Sequence, residues 1–234
     1  MSIAENIIEI NERISAAAKK SNRTAQDVTL IGVTKTIDTE NIKKMLDCGV
    51  MNIGENRVQE LVAKHDVLKH YTHLGNLPKW HMIGHLQKNK IKYILDKVGL
   101  IHSVDTLELA VMINNACEKM GIKADFLLEI NIAQESTKFG ISHKDIGFTL
   151  ENISKLSHIA LKGLMCVPPY VENGEDNRRY FDKMRKLLLD INENCLYYTN
   201  LSELSMGMTS DYDVAIEEGA TMVRVGSGIF GRRL

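Results

Sequence analysis

Apolar and polar positions follow two alternating patterns along this chain. Short apolar runs typical of buried strands recur from about residue 28 onward, and longer segments with helical spacing of apolar residues separate them. The runs span residues 28–34, 50–53, 80–83, 100–104, 126–131, 159–166, 201–204 and 221–225. This alternation is typical of βα units around a parallel sheet.

Helices are predicted between these runs, over residues 38–48, 55–69, 88–97, 106–120, 143–156, 177–194 and 210–218. Asp38, Thr106 and Ser210 are expected to act as N-capping residues, and Gly49 and Gly121 follow two of the helix ends. Ahead of the first strand, apolar residues at helical spacing predict an extra amphipathic helix that packs on the domain. These residues are Ile3, Ile7, Ile10 and Ile14.

Eight strands are the number found in a (β/α)8 TIM-type barrel, and 234 residues suit one such domain over residues 1–234. An open doubly wound sheet would show the same alternation, so periodicity leaves both architectures open. The chain has no GxGxxG segment after its first strand, which argues against a dinucleotide-binding version of the open sheet.

Composition narrows the function classes. Apolar residues make up 44% of the chain, charged residues 25%, and the net charge is −1, with no basic block that would suit nucleic acid or a lipid surface. The N-terminus has no signal-peptide pattern, and the four cysteines are far apart and form no CxxC pair. A cytoplasmic protein without a metal site or disulfide framework is expected.

Two charged residues occupy positions where charge is unusual. Lys35 ends the first apolar run, and alternation places it on the face of Ile31 and Val33; inside a barrel its amine would be partly desolvated and able to add to an aldehyde. From position alone, a lysine that extends into solvent is the simpler interpretation. Arg224 lies within the last strand and is expected to point inward, either as a ligand-binding residue or in an ion pair with an acid. Glu129 and Glu203 are the candidate acids.

Two glycine-containing segments are predicted to be the loops after strands seven and eight, where barrels commonly hold phosphate. The first, LSMGMTS, supplies Ser205 and Gly207, and the second, VGSGIFG, supplies Gly226 and Ser227. Either segment alone is weak evidence for a phosphate site, because glycine most often only permits a turn of the backbone.

The second strand is followed by Glu55 and Asn56, and Asn56 is either a ligand contact or part of a helix N-terminus. His81 and His85 lack the glutamate of an HExxH motif and are interpreted as core or rim histidines.

Seven segments of the chain resemble, in order, the pyridoxal-phosphate homeostasis proteins, relatives of the N-terminal barrel of alanine racemase. The likeness runs from about residue 28 to Arg232. The segments are GVTKT, IGENRVQE, WHMIGHLQKNK, HSVDT, INIAQESTKFGI, LKGLMCVPP and LSMGMTSDYDVAIEEGATMVRVGSGIFG.

The resemblance implies an alanine racemase N-terminal-domain-like fold and pyridoxal 5′-phosphate (PLP) as cofactor, in a Schiff base with Lys35. Arg224 would face the pyridine nitrogen, keep it unprotonated and weaken the ring as an electron sink. Asn56 would lie beside the ring. The phosphate would contact Ser205, Gly207, Gly226 and Ser227, and Met206 is included in the predicted cofactor site.

The chain departs from the family pattern at a few positions. Thr34 and Ser227 replace a more usual serine and threonine, and both keep a hydroxyl. The segment MTSDY replaces a Met-Ser opening, so no role is assigned to Met208 or Thr209.

The resemblance implies a protein that carries or buffers PLP in vitamin B6 and amino-acid homeostasis, with PLP-dependent apo-enzymes as potential acceptors and a monomeric state. The alternative is a PLP-dependent racemase or lyase with weak activity. Related racemases carry a further β-domain and receive a second base from a partner subunit, whereas this chain ends at Leu234 and offers only Tyr170 as a substitute. A non-catalytic carrier is therefore predicted. A sugar-phosphate isomerase, which needs the phosphate loops but no Schiff base, is a third class.

Overall fold

The structure, a computed structural model, describes residues 2–135, 138–198 and 200–231. Eight parallel strands close into a barrel in chain order, and the last strand pairs with the first. The strands are β1 Thr29–Val33, β2 Asn52–Glu55, β3 Lys79–Met82, β4 Leu100–Val104, β5 Ala124–Glu129, β6 Ile159–Met165, β7 Glu203–Met208 and β8 Met222–Val225. The closed order confirms the predicted (β/α)8 barrel and excludes the open doubly wound sheet.

Helices surround this barrel. They are α1 Ile3–Lys20, α2 Thr39–Asp47, α3 Val58–Leu68, α4 Leu107–Met120, α5 Ile146–Ile153, α6 Arg178–Asn194, α7 Tyr212–Glu217 and α8 Ser227–Phe230. Short 3₁₀ helices span Ala25–Asp27, Lys88–Tyr93, His143–Asp145 and Gly174–Asn177. The helix predicted over residues 88–97 is therefore wrong in type, because the segment winds into a 3₁₀ helix and then turns.

Helix starts follow local capping chemistry. The side chains of Asp38 and Thr106 accept hydrogen bonds from backbone N–H groups of α2 and α4, as predicted. Ser210 does not cap α7, which begins at Tyr212 after Asp211. The Asp211 carboxylate instead accepts the backbone N–H of Met208 at 2.7 Å and closes the turn between β7 and α7.

The predicted N-terminal helix is present as α1, and it packs on the helices at the end of the chain. Asn6 donates from its side-chain amide to the carbonyl oxygen of Ile229 at 2.9 Å, and Lys20 pairs with Glu217 at 2.7 Å. The isoleucines at positions 7, 10 and 14 are buried. Helix α1 therefore packs against α7 and α8 at the C-terminal end of the chain.

Two separate apolar clusters stabilise the fold. The larger lies between the barrel and the helices; the smaller comprises Leu100, Leu127 and Met165 with Met222 packed against them. A Cβ on Gly32 would collide with Met45 of α2, so the neighbouring positions on β1 face the barrel interior. Alternation along the other strands places the smaller cluster inside the barrel. None of the helices in the described part of the chain has the length and apolar character needed to cross a membrane.

Candidate functional site

Lys35 lies in a turn directly after β1, at the mouth formed by the C-terminal ends of the strands. The turn is closed by a hydrogen bond from the N–H of Ile37 to the carbonyl oxygen of Thr34 at 2.9 Å. Lys35 is half-buried and follows the inward-facing Val33 by two positions. The predicted location of the lysine is confirmed.

Helix α3 holds the residue that precedes this lysine. Lys64 donates from Nζ to the carbonyl oxygen of Thr34 and to the Glu55 carboxylate, both at 2.7 Å, and the Thr34 hydroxyl donates to the same carboxylate. Glu55 is fully buried. Burial raises its pKa, and the hydrogen bond from Lys64 opposes that rise. Glu55 is therefore a structural anchor beneath α3, and the strand extends to it where a helix was predicted.

The residue after the lysine is held as well. Thr36 has a φ of 64°, a left-handed conformation that costs a β-branched residue free energy. Its N–H donates to the Glu60 carboxylate at 2.7 Å, and the same oxygen accepts from Lys64 at 3.1 Å. Both neighbours of Lys35 are thus tied to α3.

Arg224 points into the barrel, as predicted, and is 4% exposed. Its guanidinium donates from Nη1 to the hydroxyl of Ser205 and from Nη2 to the carbonyl oxygen of Cys166, the latter at 2.9 Å. No carboxylate of the described residues forms an ion pair with it, and Glu203 instead accepts from the Thr221 hydroxyl at 2.8 Å. The alternative of a structural ion pair is therefore wrong for Arg224.

Two buried histidines extend this polar interior. Nδ1 of His102 lies 2.9 Å from Oγ of Ser205. Its other ring nitrogen, Nε2, lies 3.0 Å from Nδ1 of His81. His81 Nε2 lies 3.1 Å from Oδ1 of Asn52. Burial, with a smaller effect of Lys79, lowers the pKa of His81 to about 4, and burial also lowers that of His102. Both imidazoles are therefore neutral at physiological pH.

Asn56 directly follows β2, as predicted. Its side-chain oxygen is buried and has no hydrogen-bond partner among the described residues. Leaving such an atom unpaired costs free energy. Asn56 is not helical, because α3 begins two residues later.

The residues predicted as the loop after strand seven are part of the strand itself. Ser205 is fully buried within the barrel, and Met206 lies in the large apolar cluster outside it. Gly207 has a φ of 90°, and a Cβ there would lie 2.5 Å from the Cβ of Ala215 in α7. A register shift in the β7–β8 pairing falls between Ser205 and Met208. Ser205, Met206 and Gly207 therefore do not form one loop, and their side chains or Cα atoms face different surroundings. The reason is that β7 extends further along the chain than its apolar run indicated.

The true loop after β7 meets the loop after β8 at the mouth. Thr209 Oγ1 accepts from the hydroxyl of Ser227 and from the N–H of Gly228, both at 3.3 Å. A Cβ on Gly228 would lie 2.8 Å from Val225, so only glycine fits. Gly226 and Ser227 lie where they were predicted. Thr209, to which the sequence assigned no role, joins these two loops.

The opposite side of the mouth carries a carboxyl group whose pKa lies near neutral pH. Glu129 ends β5 and is 8% exposed; burial first, then Asp105, raise its pKa to about 7 against the opposing effect of Arg224. Asp105 pairs with His85 Nδ1 at 3.0 Å, and the His85 ring stacks on Phe139 at 4.2 Å. His85 is therefore a rim histidine and His81 a core histidine, as predicted.

The turn-rich segment after β6 is tied down by Asn177. Its amide nitrogen donates to the carbonyl oxygen of Pro169 at 3.1 Å and to the Asp211 carboxylate at 2.8 Å. Tyr170 is 87% exposed. Within the described residues no cluster of potential metal ligands is present. Parts of the INIAQESTKFGI segment, Ser136 and Thr137, lie outside the described residues, as does Arg232.

The histidine chain and Thr209 were not recognised as site features from the sequence. Buried histidines among strand residues, as in KWHM and LIHSV, are the signal that could have indicated a polar interior. Their partners lie 21 and 103 residues apart, so spacing alone does not connect them.

Comparison with known proteins agrees with this geometry. A family model described as the N-terminal domain of alanine racemase matches residues 9–233. A pyridoxal phosphate homeostasis protein of Aquifex aeolicus is 41% identical over 233 residues, which cover 100% of this chain and 99% of the relative. The protein of that name from Escherichia coli strain K12 is 33% identical over 232 residues, 99% of this chain and 97% of the relative.

Solved structures give the same result. PipY of Synechococcus elongatus, in a structure with PLP bound, has a TM-score of 0.84 and 29% identity, and the match covers 98% of this chain and 100% of PipY. An alanine racemase of Clostridium difficile has a TM-score of 0.70 at 16% identity, covering 99% of this chain and 57% of the racemase, a likeness of fold alone. The chain therefore belongs to the pyridoxal phosphate homeostasis proteins, a family built on the N-terminal barrel domain of alanine racemase.

Proposed function

We propose that the chain binds PLP covalently through Lys35 at the barrel mouth, and that it carries or buffers the cofactor in vitamin B6 and amino-acid homeostasis. Arg224 carries the proposal. It is a buried guanidinium whose hydrogen-bond partners among the described residues are neutral, and Glu129 and Asp211 attract it without forming an ion pair. An electron-rich ring nitrogen is a suitable acceptor for its remaining N–H groups.

The residues of the mouth suit PLP in three further ways. Lys35 supplies the amine, and α3 fixes the residues on both sides of it. The unpartnered Asn56 side chain supplies a polar contact beside the ring. The loops after β7 and β8 supply the hydroxyls of Thr209 and Ser227 and the backbone of Gly226 for the phosphate.

Ser205, Met206 and Gly207 take different roles in this proposal from those inferred by resemblance. Ser205 acts through Arg224, whose guanidinium it binds. Met206 packs in the core outside the barrel, and Gly207 allows α7 to approach β7, so both shape the loop that carries Thr209.

A carrier suits this electrostatic arrangement. When bound, PLP supplies an aldehyde that condenses with amines and a ring that withdraws electrons. Arg224 holds its proton and keeps the ring nitrogen unprotonated, which weakens the ring as an electron sink. Storage of the cofactor and its transfer to PLP-dependent apo-enzymes need only reversible attachment to Lys35. The names of the relatives indicate a homeostatic role.

Borohydride reduction followed by peptide mass mapping tests the proposal. The purified protein is loaded with PLP, reduced and digested; one phosphopyridoxyl group on Lys35 is expected. Lys35→Ala should lose both the adduct and the near-visible absorption band. Lys79→Ala is the matched control, because this exposed lysine starts β3 at the opposite end of the barrel. An adduct mainly on other lysines would overturn the proposal, as would equal labelling of Lys35→Ala and the native protein. A sugar-phosphate isomerase would give no band at all.

A further inference from the structure

Five polar side chains form one continuous hydrogen-bonded chain through the barrel. It runs from Arg224 to Ser205, then through His102 and His81 to Asn52. These residues belong to β8, β7, β4, β3 and β2. Since β4 and β7 are not neighbours in the barrel, the contact between His102 and Ser205 crosses its interior. The hydrogen-bonded side chains therefore form a polar network inside the barrel.

The hydrogen-bond direction along this chain follows from its first member. A guanidinium can only donate, so the Ser205 oxygen accepts from Arg224. Its own O–H then donates to Nδ1 of His102, which places the His102 proton on Nε2. That proton is donated to Nδ1 of His81. The series ends where Nε2–H of His81 donates to the side-chain oxygen Oδ1 of Asn52.

The opposite direction leaves groups unsatisfied. If His102 donated from Nδ1 to Ser205, the serine proton would have no acceptor among these five side chains. Nε2 of His81 would then need a donor, whereas the atom facing it is the oxygen of Asn52. Unpaired polar groups are costly in a buried interior. One arrangement therefore satisfies every member, with both histidines neutral and protonated on Nε2.

This direction matters for the charge on Arg224. Each bond of the chain has its negative end toward the guanidinium, so the oriented dipoles stabilise the buried cation in addition to the attraction of Glu129 and Asp211. A protonated His102 would place a second cation next to it. Burial, then His81 and Arg224, lower the pKa of His102 and keep this imidazole neutral.

We propose that His102, acting through Ser205, is a positioning residue that fixes the Arg224 guanidinium toward the ring nitrogen of PLP, and that His81 and Asn52 hold His102 in the required tautomer. This inference rests on the proposed PLP site and adds to it the residues that orient its cation.

The affinity test compares two ligands. PLP and 1-deazapyridoxal 5′-phosphate, in which a C–H replaces the ring nitrogen, are titrated into native protein and three variants. His102→Leu should weaken PLP about ten-fold and leave the deaza analogue unchanged within two-fold, because it removes the acceptor of the Ser205 hydroxyl. His102→Asn, whose side-chain oxygen lies near the position of Nδ1, should restore most of the loss. Leu127→Val is the matched control inside the barrel and should change neither ligand.

A measurement on the cofactor-free native protein covers the case in which His102→Leu fails to fold. Nitrogen-15 NMR of labelled histidines distinguishes the two tautomers, and protons on Nε2 of both His81 and His102 are expected. Protons on Nδ1, or a charged ring at neutral pH, would overturn the inference. So would equal weakening of both ligands in His102→Leu, or no weakening of PLP. If the native protein did not bind PLP at all, the proposed function would fail instead, and the NMR result would still decide the direction of the chain.

Discussion

The ammonium of Lys64 donates to the carbonyl oxygen of Thr34 at 2.7 Å and so fixes the residue directly before Lys35. The same ammonium pairs with the fully buried carboxylate of Glu55. A charge pair beneath α3 therefore sets the position of the strand end that Lys35 follows.

Removal of this ammonium should destabilise the fold strongly. Lys64→Met leaves Glu55 buried without its cation, and the free energy of unfolding should fall by about 3 kcal/mol in urea titrations. Lys43→Met is the control, since Lys43 pairs with the exposed Glu40 and should cost at most about 0.5 kcal/mol. Equal losses for the two variants would show that the Glu55 pair is not the anchor.

Backbone strain at Thr36 predicts a substitution that raises the free energy of unfolding. Its φ of 64° disfavours any residue with a Cβ, and its side chain is exposed. Thr36→Gly should raise the free energy of unfolding by about 1 kcal/mol, less the entropy that glycine adds to the unfolded chain. Thr36→Ala keeps a Cβ and should give no such gain. A gain in Thr36→Ala equal to that in Thr36→Gly would contradict the strain.

The carboxyl of Glu129 should make stability depend on pH. Burial, then Asp105, raise its pKa to about 7 from 4.5, against the attraction of Arg224. Between pH 4.5 and 7 the folded state holds a proton that the unfolded chain releases. The contribution of the protonated Glu129 carboxyl to stability is therefore complete below pH 4.5 and is lost as the pH rises through 7.

Glu129→Gln cannot ionise and should therefore match the native protein near pH 4.5. At pH 8 it should be more stable by up to about 3 kcal/mol. Urea unfolding of the cofactor-free proteins across this range is the measurement, with Glu12→Gln on the exposed face of α1 as a control for loss of a surface carboxylate. A constant difference across the range would refute the prediction.

Substitutions at Ser205 and at Ser227 should affect the binding of PLP and of pyridoxal, which lacks the phosphate, in different ways. Ser205→Ala acts through Arg224 at the ring nitrogen, so it should weaken PLP and pyridoxal alike, about ten-fold. Ser227→Ala combined with Thr209→Val should weaken PLP by at least that factor and affect pyridoxal little. Dissociation constants from absorbance titrations give the comparison, and the reverse pattern would place the phosphate beside Ser205.

Amino-acid turnover should be slight. In the proposed site Arg224 would keep the ring nitrogen unprotonated, and the side chain of Tyr170 is almost wholly exposed. Alanine racemisation by the loaded protein should therefore stay near the rate of free PLP, whereas a PLP-dependent apo-enzyme mixed with it should regain activity. A turnover of roughly 1 s⁻¹ or more that is lost in Lys35→Ala would favour a catalyst over a carrier.

Local periodicity predicted the alternation of eight strands with helices, whereas closure of the sheet into a barrel is shown only by the pairing of β8 with β1. The eight apolar runs, most of the helices between them and the amphipathic N-terminal helix follow from spacing, because burial on one face leaves a regular pattern. The position of Lys35 after β1 and the inward direction of Arg224 follow from strand alternation alone.

Strand seven shows where periodicity fails. The apolar run at 201–204 predicted a strand that ends before Ser205, whereas β7 is Glu203–Met208. Its inner face carries a polar residue that is buried because Arg224 binds it, and its register shifts near Gly207. Neither feature leaves a hydrophobic pattern, so the loop that carries Thr209 was misplaced.

The polar interior was decided by tertiary structure alone. His81, His102 and Ser205 come from three strands, and only closure of the barrel and its register bring them into one chain. The tautomer of each histidine depends on the next partner, and the need for neutrality depends on the charge of Arg224. Sequence determines which groups are present on each strand, but their hydrogen bonds are set by distances that arise when the last strand pairs with the first.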